Sequence, residues 1–256
     1  MKQKSTAVVI SQEKIGEGIF DMRIATDLAS CAKPGQFIAI YPKDKSTLLP
    51  RPISICEIAD SGKALRIVYR VAGAGTEEFS HYQKGEEISV LGVLGNGFPV
   101  KEAEGKEVFL IGGGIGIPPM LELAKQVRGH RQILAGYRGA PLFLKEDLEK
   151  YGEVYVATED GSAGTKGNVM DAIAENHLKA QIIFACGPMP MLKAVKQYAQ
   201  RKNIPAYLSL EEHMACGVGA CLGCVVKTKE VDSHSHVKNA RICTDGPVFA
   251  ASEVDI

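Results

Sequence analysis

The 256-residue sequence lacks an excess of charge of either sign: thirty basic and thirty acidic residues cancel, and neither sign gathers into a run. Without a basic face there is no electrostatic footprint for nucleic acid or for an anionic membrane surface, so no polyanionic partner is expected. A long apolar run is also missing. Ala7–Ile10, inside MKQKSTAVVISQEK, is too short for a secretory core or a membrane span. Neither a low-complexity stretch nor an internal repeat is visible. Cysteine occurs seven times, an odd number with no export signal beside it. That pattern argues against a disulfide framework and for reduced thiols and metal, with the cytoplasm as the expected compartment. What is present is 45% apolar residues over a length suited to one large or two ordinary domains, enough to build true cores.

Four of the seven cysteines fall within twenty-eight positions. Cys216, Cys221 and Cys224 form a C-x4-C-x2-C array in LEEHMACGVGACLGCVV, and Cys243 follows in RICTDGPVF. A [2Fe-2S] rhombus takes its thiolates from a tight loop plus one distant cysteine in this spacing, whereas zinc sites more often present two C-x2-C pairs. The intervening residues are Gly217, Val218, Gly219, Ala220, Leu222 and Gly223. Small groups let backbone N–H donors approach inorganic sulfur, and glycines are free to take positive φ. A zinc knuckle or a set of buried core cysteines is the alternative. His213 stands close by, but cysteine already supplies four ligands, so it reads as a neighbour of the cluster or as plain surface. The tip Ser233-His234-Ser235-His236 reads as a solvated hairpin, and the role of His234 and His236 stays open. Cys31 and Cys56 read as core.

From residue 5 to 92 the sequence predicts six short strands bounded by Gly, Pro, Asp or Lys: TAVVIS, GIFDMRIAT, GQFIAIY, RPISICEI, ALRIVYRV and EEISVLG. Six such strands suggest an antiparallel barrel, with one short helix from Thr76 to Tyr82. From Glu107 the pattern changes to apolar strands alternating with helices: VFLIGG, PMLELAKQV, QILAGY, LFLKEDLEKY, VYVAT, NVMDAIAENH, IIFACG and MPMLKAVKQYAQR. That alternation predicts βαβ units and a parallel sheet, with a boundary in the polar stretch from Phe98 to Gly105.

Each half carries a candidate nucleotide site. In the barrel, Arg51-Pro52-Ile53-Ser54 places a guanidinium and a hydroxyl on one strand, suited to a diphosphate and a flavin edge. The other reading is a surface arginine beside an edge-strand proline. Val68-Tyr69-Arg70 on the next strand and Gly73-Ala74-Gly75-Thr76 at a helix start favour a dinucleotide, because free N–H groups there meet phosphate. In the second half VFLIGG runs into Gly112, Gly113, Gly114, Gly116 and two prolines, a variant of the dinucleotide fingerprint. A later strand ends in Cys186-Gly187-Pro188, at the edge where ligands of open α/β sheets bind. Cys186 faces a nicotinamide there or is a buried small residue. Thr158-Glu159-Asp160 closes another strand, and its two carboxylates would repel a 2′-phosphate.

In this order RPIS, VYR, GAGT, GGGIGIPP, CGPMPM and ACGVGACLGC…CTDGPVF resemble the ferredoxin-reductase superfamily, and most closely its electron-transfer subunits of class B dihydroorotate dehydrogenases. The resemblance covers nearly the whole chain. It implies an FAD-binding barrel over 1–100, an NAD-binding α/β domain over 101–208 and a [2Fe-2S] segment over 209–256. It also implies a separate FMN-containing catalytic subunit that oxidises dihydroorotate in pyrimidine biosynthesis, in a heterotetramer of two of each. Carried over, Arg51, Pro52, Ile53, Ser54, Val68, Tyr69, Arg70, Gly75 and Thr76 hold FAD. Cys216, Cys221, Cys224 and Cys243 hold the cluster. NAD falls to Gly112, Gly114, Gly116, Glu159, Asp160 and Cys186. Electrons would run from dihydroorotate through partner FMN, the cluster and FAD to NAD⁺, with no catalytic residue for dihydroorotate on this chain. Small subunits of ferredoxin-NADP⁺ transhydrogenases, sulfide dehydrogenases or hydrogenases have similar modules, and a redox-sensing binding module is a third reading.

Overall fold

A computed structural model describes residues 3–231 and 236–256. Six strands close an antiparallel barrel in the order β1-β2-β5-β4-β3-β6: β1 (Gln3–Gly16), β2 (Ile19–Ala25), β3 (Phe37–Tyr41), β4 (Arg51–Ile58), β5 (Ala64–Arg70) and β6 (Glu87–Leu94). β-Branched or aromatic residues recur in each of these strands, as a pleated, packed surface favours. Met22, Ile24, Ile38, Ile40, Ile55, Ile67, Tyr69 and Val90 fill the interior. The helix α1 (Ala74–Ser80) bridges β5 and β6.

The second unit begins with β7 (Glu107–Gly113), α2 (Pro118–Gln126), β8 (His130–Tyr137), α3 (Lys145–Glu149) and β9 (Glu153–Thr158). It continues through β10 (Thr165–Lys166), α4 (Val169–Glu175), β11 (Ile182–Cys186), α5 (Met189–Lys202) and β12 (Ala206–Ser209). The sheet order is β10-β9-β8-β7-β11-β12-β15, parallel except for β15 (Val248–Ala250), which runs antiparallel to β12. The chain therefore winds to one side of β7 through β8 and to the other through β11, which opens a ligand crevice at their carboxyl ends. Between β12 and β15 lie the cysteine loop and a small hairpin, β13 (Val225–Lys227) with β14 (Asn239–Arg241). The last segment is thus stitched into the sheet rather than hanging from it.

Two sets of polar contacts lock the units together. On α2, the Glu122 carboxylate accepts from the Ile58 N–H at 2.6 Å while the Lys125 ammonium donates to the Ile58 carbonyl at 3.0 Å. On β5, Arg66 binds Asp21 across the barrel wall at 2.7 Å and Asp147 of α3 at 2.8 Å. Buried charges persist when paired in this way. Three details depart from the sequence reading. The α3 helix is shorter than LFLKEDLEKY, because Leu144 adopts a left-handed conformation (φ 63°) just before it. The strands β12 and β15 were hidden in short segments. Cys31, expected in the core, is exposed at the end of a 3₁₀ turn, Asp27–Cys31, whereas Cys56 is buried as expected.

Candidate electron-transfer site

At the barrel end nearest the second unit, Arg51 lies across the first turn of α1. A Cβ on Gly75 would sit 2.9 Å from Arg51 Nε, so the guanidinium packs directly on the glycine backbone. Arg51 Nη1 donates to the Leu49 carbonyl at 2.6 Å, which holds the head group in place. Thr76 is buried, and its hydroxyl oxygen accepts from the N–H groups of Ala72 (2.8 Å) and Gly73 (3.2 Å), fixing the glycine turn. Arg70 is exposed at the end of β5 and reaches toward Gly114 of the second unit, where a Cβ would lie 3.7 Å from Arg70 Nη2. Two guanidiniums beside glycine-lined backbone fit a diphosphate dianion.

Ser54 is half-buried, opposite Phe37 across β3, and Pro52 is half-buried beside it. Ile53, Val68 and Tyr69 are different: their side chains are packed inside. The Tyr69 hydroxyl donates to Gln12 Oε1 at 2.8 Å, its ring stacks on Phe20, and burial pushes its phenol above the usual range. With their side chains packed inside, these three positions present their strand backbone to a flavin.

The crevice of the second unit depends on glycine because backbone meets backbone there. A Cβ on Gly116 would strike the Cys186 carbonyl, and one on Gly112 would come within 2.8 Å of Ile117 Cα. Pro118 opens α2 at the first helical position, where its missing N–H costs nothing. Gly114 takes φ 53° at the turn. Cys186 is half-buried, between Gly112 on β7 and Ser209 on β12. Burial pushes its thiol up to about 12, against a hydrogen bond with Ser209 that lowers it. It is therefore a neutral thiol at physiological pH. Glu159 and Asp160 are exposed at the end of β9. Asp160 Oδ1 accepts from the Ser162 hydroxyl (2.7 Å) and N–H (2.9 Å), and these bonds hold its carboxyl below the usual range.

The four cysteines gather in one place: Cys216 is within hydrogen-bonding reach of Cys221 and Cys243 of Cys224, and the charge of Cys216 also acts on Cys243. A two-iron rhombus needs two terminal thiolates on each iron, whereas one zinc ion would gather all four around a point. Among the described residues, no three His, Cys, Asp or Glu side chains are drawn together tightly enough for a single ion. Gly217 and Gly219 take φ 67° and 84° and turn N–H groups inward. The Val218 N–H donates to Cys216 Sγ and the Gly223 N–H to Cys221 Sγ, both at 3.4 Å. Burial raises the Cys216 thiol, but the N–H groups of Val218, Cys221 and Ala220 together with the Cys221 side chain bring it down to about 6. Such a site stabilises thiolate and so suits iron. His213 is exposed, as is His236, while His234 lies outside the described residues. Sequence reading missed Ser209, Asn96 and Arg241; Asn96 was visible only as part of a Gly-Asn-Gly turn.

Residues 211–255 match the family model described as the iron-sulfur cluster binding domain of dihydroorotate dehydrogenase B. Residues 110–197 match an oxidoreductase NAD-binding domain. The chain is 42% identical, over 98% of its length and 99% of the relative's, to the Bacillus velezensis protein named dihydroorotate dehydrogenase B (NAD(+)), electron transfer subunit. It superposes with TM-score 0.85 and 30% identity, over 97% of this chain and 89% of the other, on a solved NADH-dependent reduced ferredoxin-NADP oxidoreductase studied for electron bifurcation. A Neisseria gonorrhoeae ferredoxin NADP⁺ reductase with bound FAD and NADP shares the fold, with TM-score 0.64 at 18% identity over 77% of this chain and 91% of the other. No helix among the described residues is long and apolar enough to cross a membrane.

Proposed function

The chain belongs to the family of electron-transfer subunits of dihydroorotate dehydrogenase B (NAD⁺), and on that premise we propose which residues serve each cofactor and how the chain meets its partner. It is an oxidoreductase subunit whose cofactors are FAD, a [2Fe-2S] cluster and NAD. The observation that carries the assignment of roles is the gathering of four thiols in a chain whose Arg51 lies on the Gly75 turn and whose Arg70 reaches the Gly114 crevice. When bound, FAD exchanges a hydride with nicotinamide and single electrons with an iron-sulfur cluster, converting between two-electron and one-electron traffic. Summed with the partner, dihydroorotate and NAD⁺ give orotate, NADH and a proton.

In this reading Arg51 and Arg70 neutralise the FAD diphosphate, and Gly75 with Thr76 shapes the turn that receives it. Pro52, Ile53, Val68 and Tyr69 contribute strand backbone, and Ser54 its hydroxyl. Gly112, Gly114 and Gly116 admit the NAD diphosphate, and Cys186, uncharged, packs against the nicotinamide. Cys216 and Cys221 hold one iron, Cys224 and Cys243 the other. Glu159 and Asp160 set nucleotide choice. Like-charge juxtaposition against a 2′-phosphate costs several kcal/mol, so NADH is favoured over NADPH by at least about a hundredfold in kcat/KM. Equal values for the two nucleotides would refute that assignment.

The three modules divide as 1–100, 101–208 and 209–256. The partner is the FMN-containing catalytic subunit, in a cytoplasmic heterotetramer of two of each, with no nucleic acid or membrane involved. Val218 (42% exposed) and Leu222 (58%) stand on the cluster loop with Ala220 and Met214 nearby, and an exposed apolar patch of this kind marks an interface. In this reading the base for dihydroorotate belongs to the partner. The isolated chain should therefore pass electrons from NADH to a dye and leave dihydroorotate untouched. Val218→Glu or Leu222→Glu should leave the dye reaction intact while weakening assembly and slowing dihydroorotate-to-NAD⁺ transfer. Oxidation of dihydroorotate by the chain alone, or full activity of both variants in the reconstituted enzyme, would overturn this reading. The 30% likeness to the bifurcating oxidoreductase supports a second reading, the small subunit of a transhydrogenase. Identification of the native partner separates the two.

A further inference from the structure

The segment that carries Cys243 packs Ile242, Cys243 and Phe249 into one core with Phe37, Leu91 and Leu94 of the barrel, and the Asn96 side chain ties it there by hydrogen bonds. Asn96 stands in the Gly95–Gly97 turn just after β6 and uses all of its amide: Nδ2 donates to the carbonyls of Asp245 (3.0 Å) and Val248 (2.8 Å), and Oδ1 accepts from the Val248 N–H (3.0 Å). Its backbone N–H adds a bond to the Gly246 carbonyl at 2.6 Å. The turn is itself tied to the barrel, because Gln36 Nε2 donates to the Gly95 carbonyl at 2.7 Å. Gly95 takes φ 72°, and a Cβ there would collide with Pro247, so the two backbones are in direct contact.

The same stretch is fastened on its other side to the loop holding the remaining cysteines. Arg241 Nε and Nη2 grip the Asp245 carboxylate at 2.9 and 3.0 Å, and the Asp245 carboxylate also accepts from the Arg241 N–H at 2.8 Å. Arg241 Nη1 reaches the Gly219 carbonyl at 3.5 Å, inside the C-x4-C loop. A continuous polar chain therefore runs from the barrel through Asn96, the 245–248 turn and Arg241 to the loop between Cys216 and Cys221. A bidentate arginine and a fully used amide fix orientation as well as distance.

We propose that Asn96 and Arg241 are positioning residues for electron transfer, which fix the iron-sulfur ligand set relative to the FAD barrel. The proposal rests on the cofactor assignment above and concerns only the step between flavin and cluster: one electron leaves the reduced flavin, one is gained by the oxidised cluster, and NADH is the reductant. Neither residue is among those given to NAD above, so hydride transfer should not depend on them.

The test uses the full chain with its cofactors loaded, mixed anaerobically with NADH, with flavin bleaching and cluster absorbance followed separately. Wild-type protein without flavin or without NADH-driven cluster bleaching would sink the cofactor assignment itself. Given that, Asn96→Asp keeps an oxygen for the Val248 N–H but loses both donated bonds. It should leave flavin reduction within about twofold and slow cluster reduction by about tenfold or more, the scale of loss that small misplacements produce. Hydrogen exchange over residues 241–248 should rise in the variant while the barrel strands stay protected. Arg241→Ala should slow the same step, and Arg241→Lys should restore part of it. The proposal is overturned by cluster reduction at the wild-type rate in Asn96→Asp and Arg241→Ala, by equal slowing of flavin and cluster reduction, or by loss of iron from both.

Discussion

The sheet around β7 and the cysteine segment that follows β12 both lie on the proposed electron path, yet they are held by different forces. Every residue of β7 after Glu107 is buried, flanked by β8 and β11 and covered by α2. In the cysteine segment, by contrast, Val218, Leu222, Val225, Val231 and Val237 are exposed, and the two strands β13 and β14 pair only with each other. Apolar burial at about 25 cal/mol per Å² shapes the first region. The second keeps apolar burial to one flank, where Cys224, Ile242, Cys243 and Phe249 share a core with Leu91 and Leu94, so its exposed loop leans on the hydrogen bonds of Asn96 and Arg241 and on the cluster it is proposed to hold. Metal binding supplies folding free energy to such segments.

Three changes would break or sharpen this contrast. Cys221→Ser has the largest expected effect on one region and the least on the other: cluster absorbance and iron should vanish while flavin content and barrel unfolding stay as in the wild type. Joint loss of flavin would show that the segment is not separable from the body. Phe184→Ala should do the reverse. Phe184 is fully buried between Phe98 (5.4 Å) and Tyr207 (5.8 Å), and truncation costs about 3–5 kcal/mol. Denaturant unfolding measures this, and a loss below about 1 kcal/mol would mean that the site collapses around the gap.

The smallest effect concerns the joint between the units. Burial works against ionisation of Asp147, but hydrogen bonds from Lys150 and Arg66 hold its carboxyl below the usual range. A group ionised more readily in the folded state stabilises the fold above its ordinary value of 3.8, and that contribution fades as pH falls through the lowered one. Asp147→Asn should cost about 1–2 kcal/mol at neutral pH, allowing for its partial exposure, and should flatten the acid limb of the stability profile. An unchanged acid limb would mean that Asp147 does not set the acid sensitivity.

The legible parts of the molecule are those whose signal is local. β-Branched runs between turn residues announced the six barrel strands, and alternation of apolar strands with helical periods announced the parallel sheet. Cysteine spacing announced the cluster because three ligands lie within nine residues, and the glycine runs at 73–75 and 112–116 announced close backbone approach. The short strands β12 and β15 were not legible, since three or four residues carry no period of their own. The burial of Tyr69 was not legible for a related reason: alternation says that neighbours face opposite ways, but not that both faces of β5 are covered.

By itself the sequence determined the barrel strands, the main strands and helices of the second unit and the family to which the motifs belong, because each depends on residues close together in the chain. Only the tertiary structure decided what depends on residues far apart. It placed Arg70 over Gly114, set Cys186 beside Ser209, paired Cys243 with Cys224, and brought Asn96 to a turn about 150 positions away. Side-chain hydrogen bonds over such separations leave no spacing to read, since the chain between their ends is set by the packing of everything else.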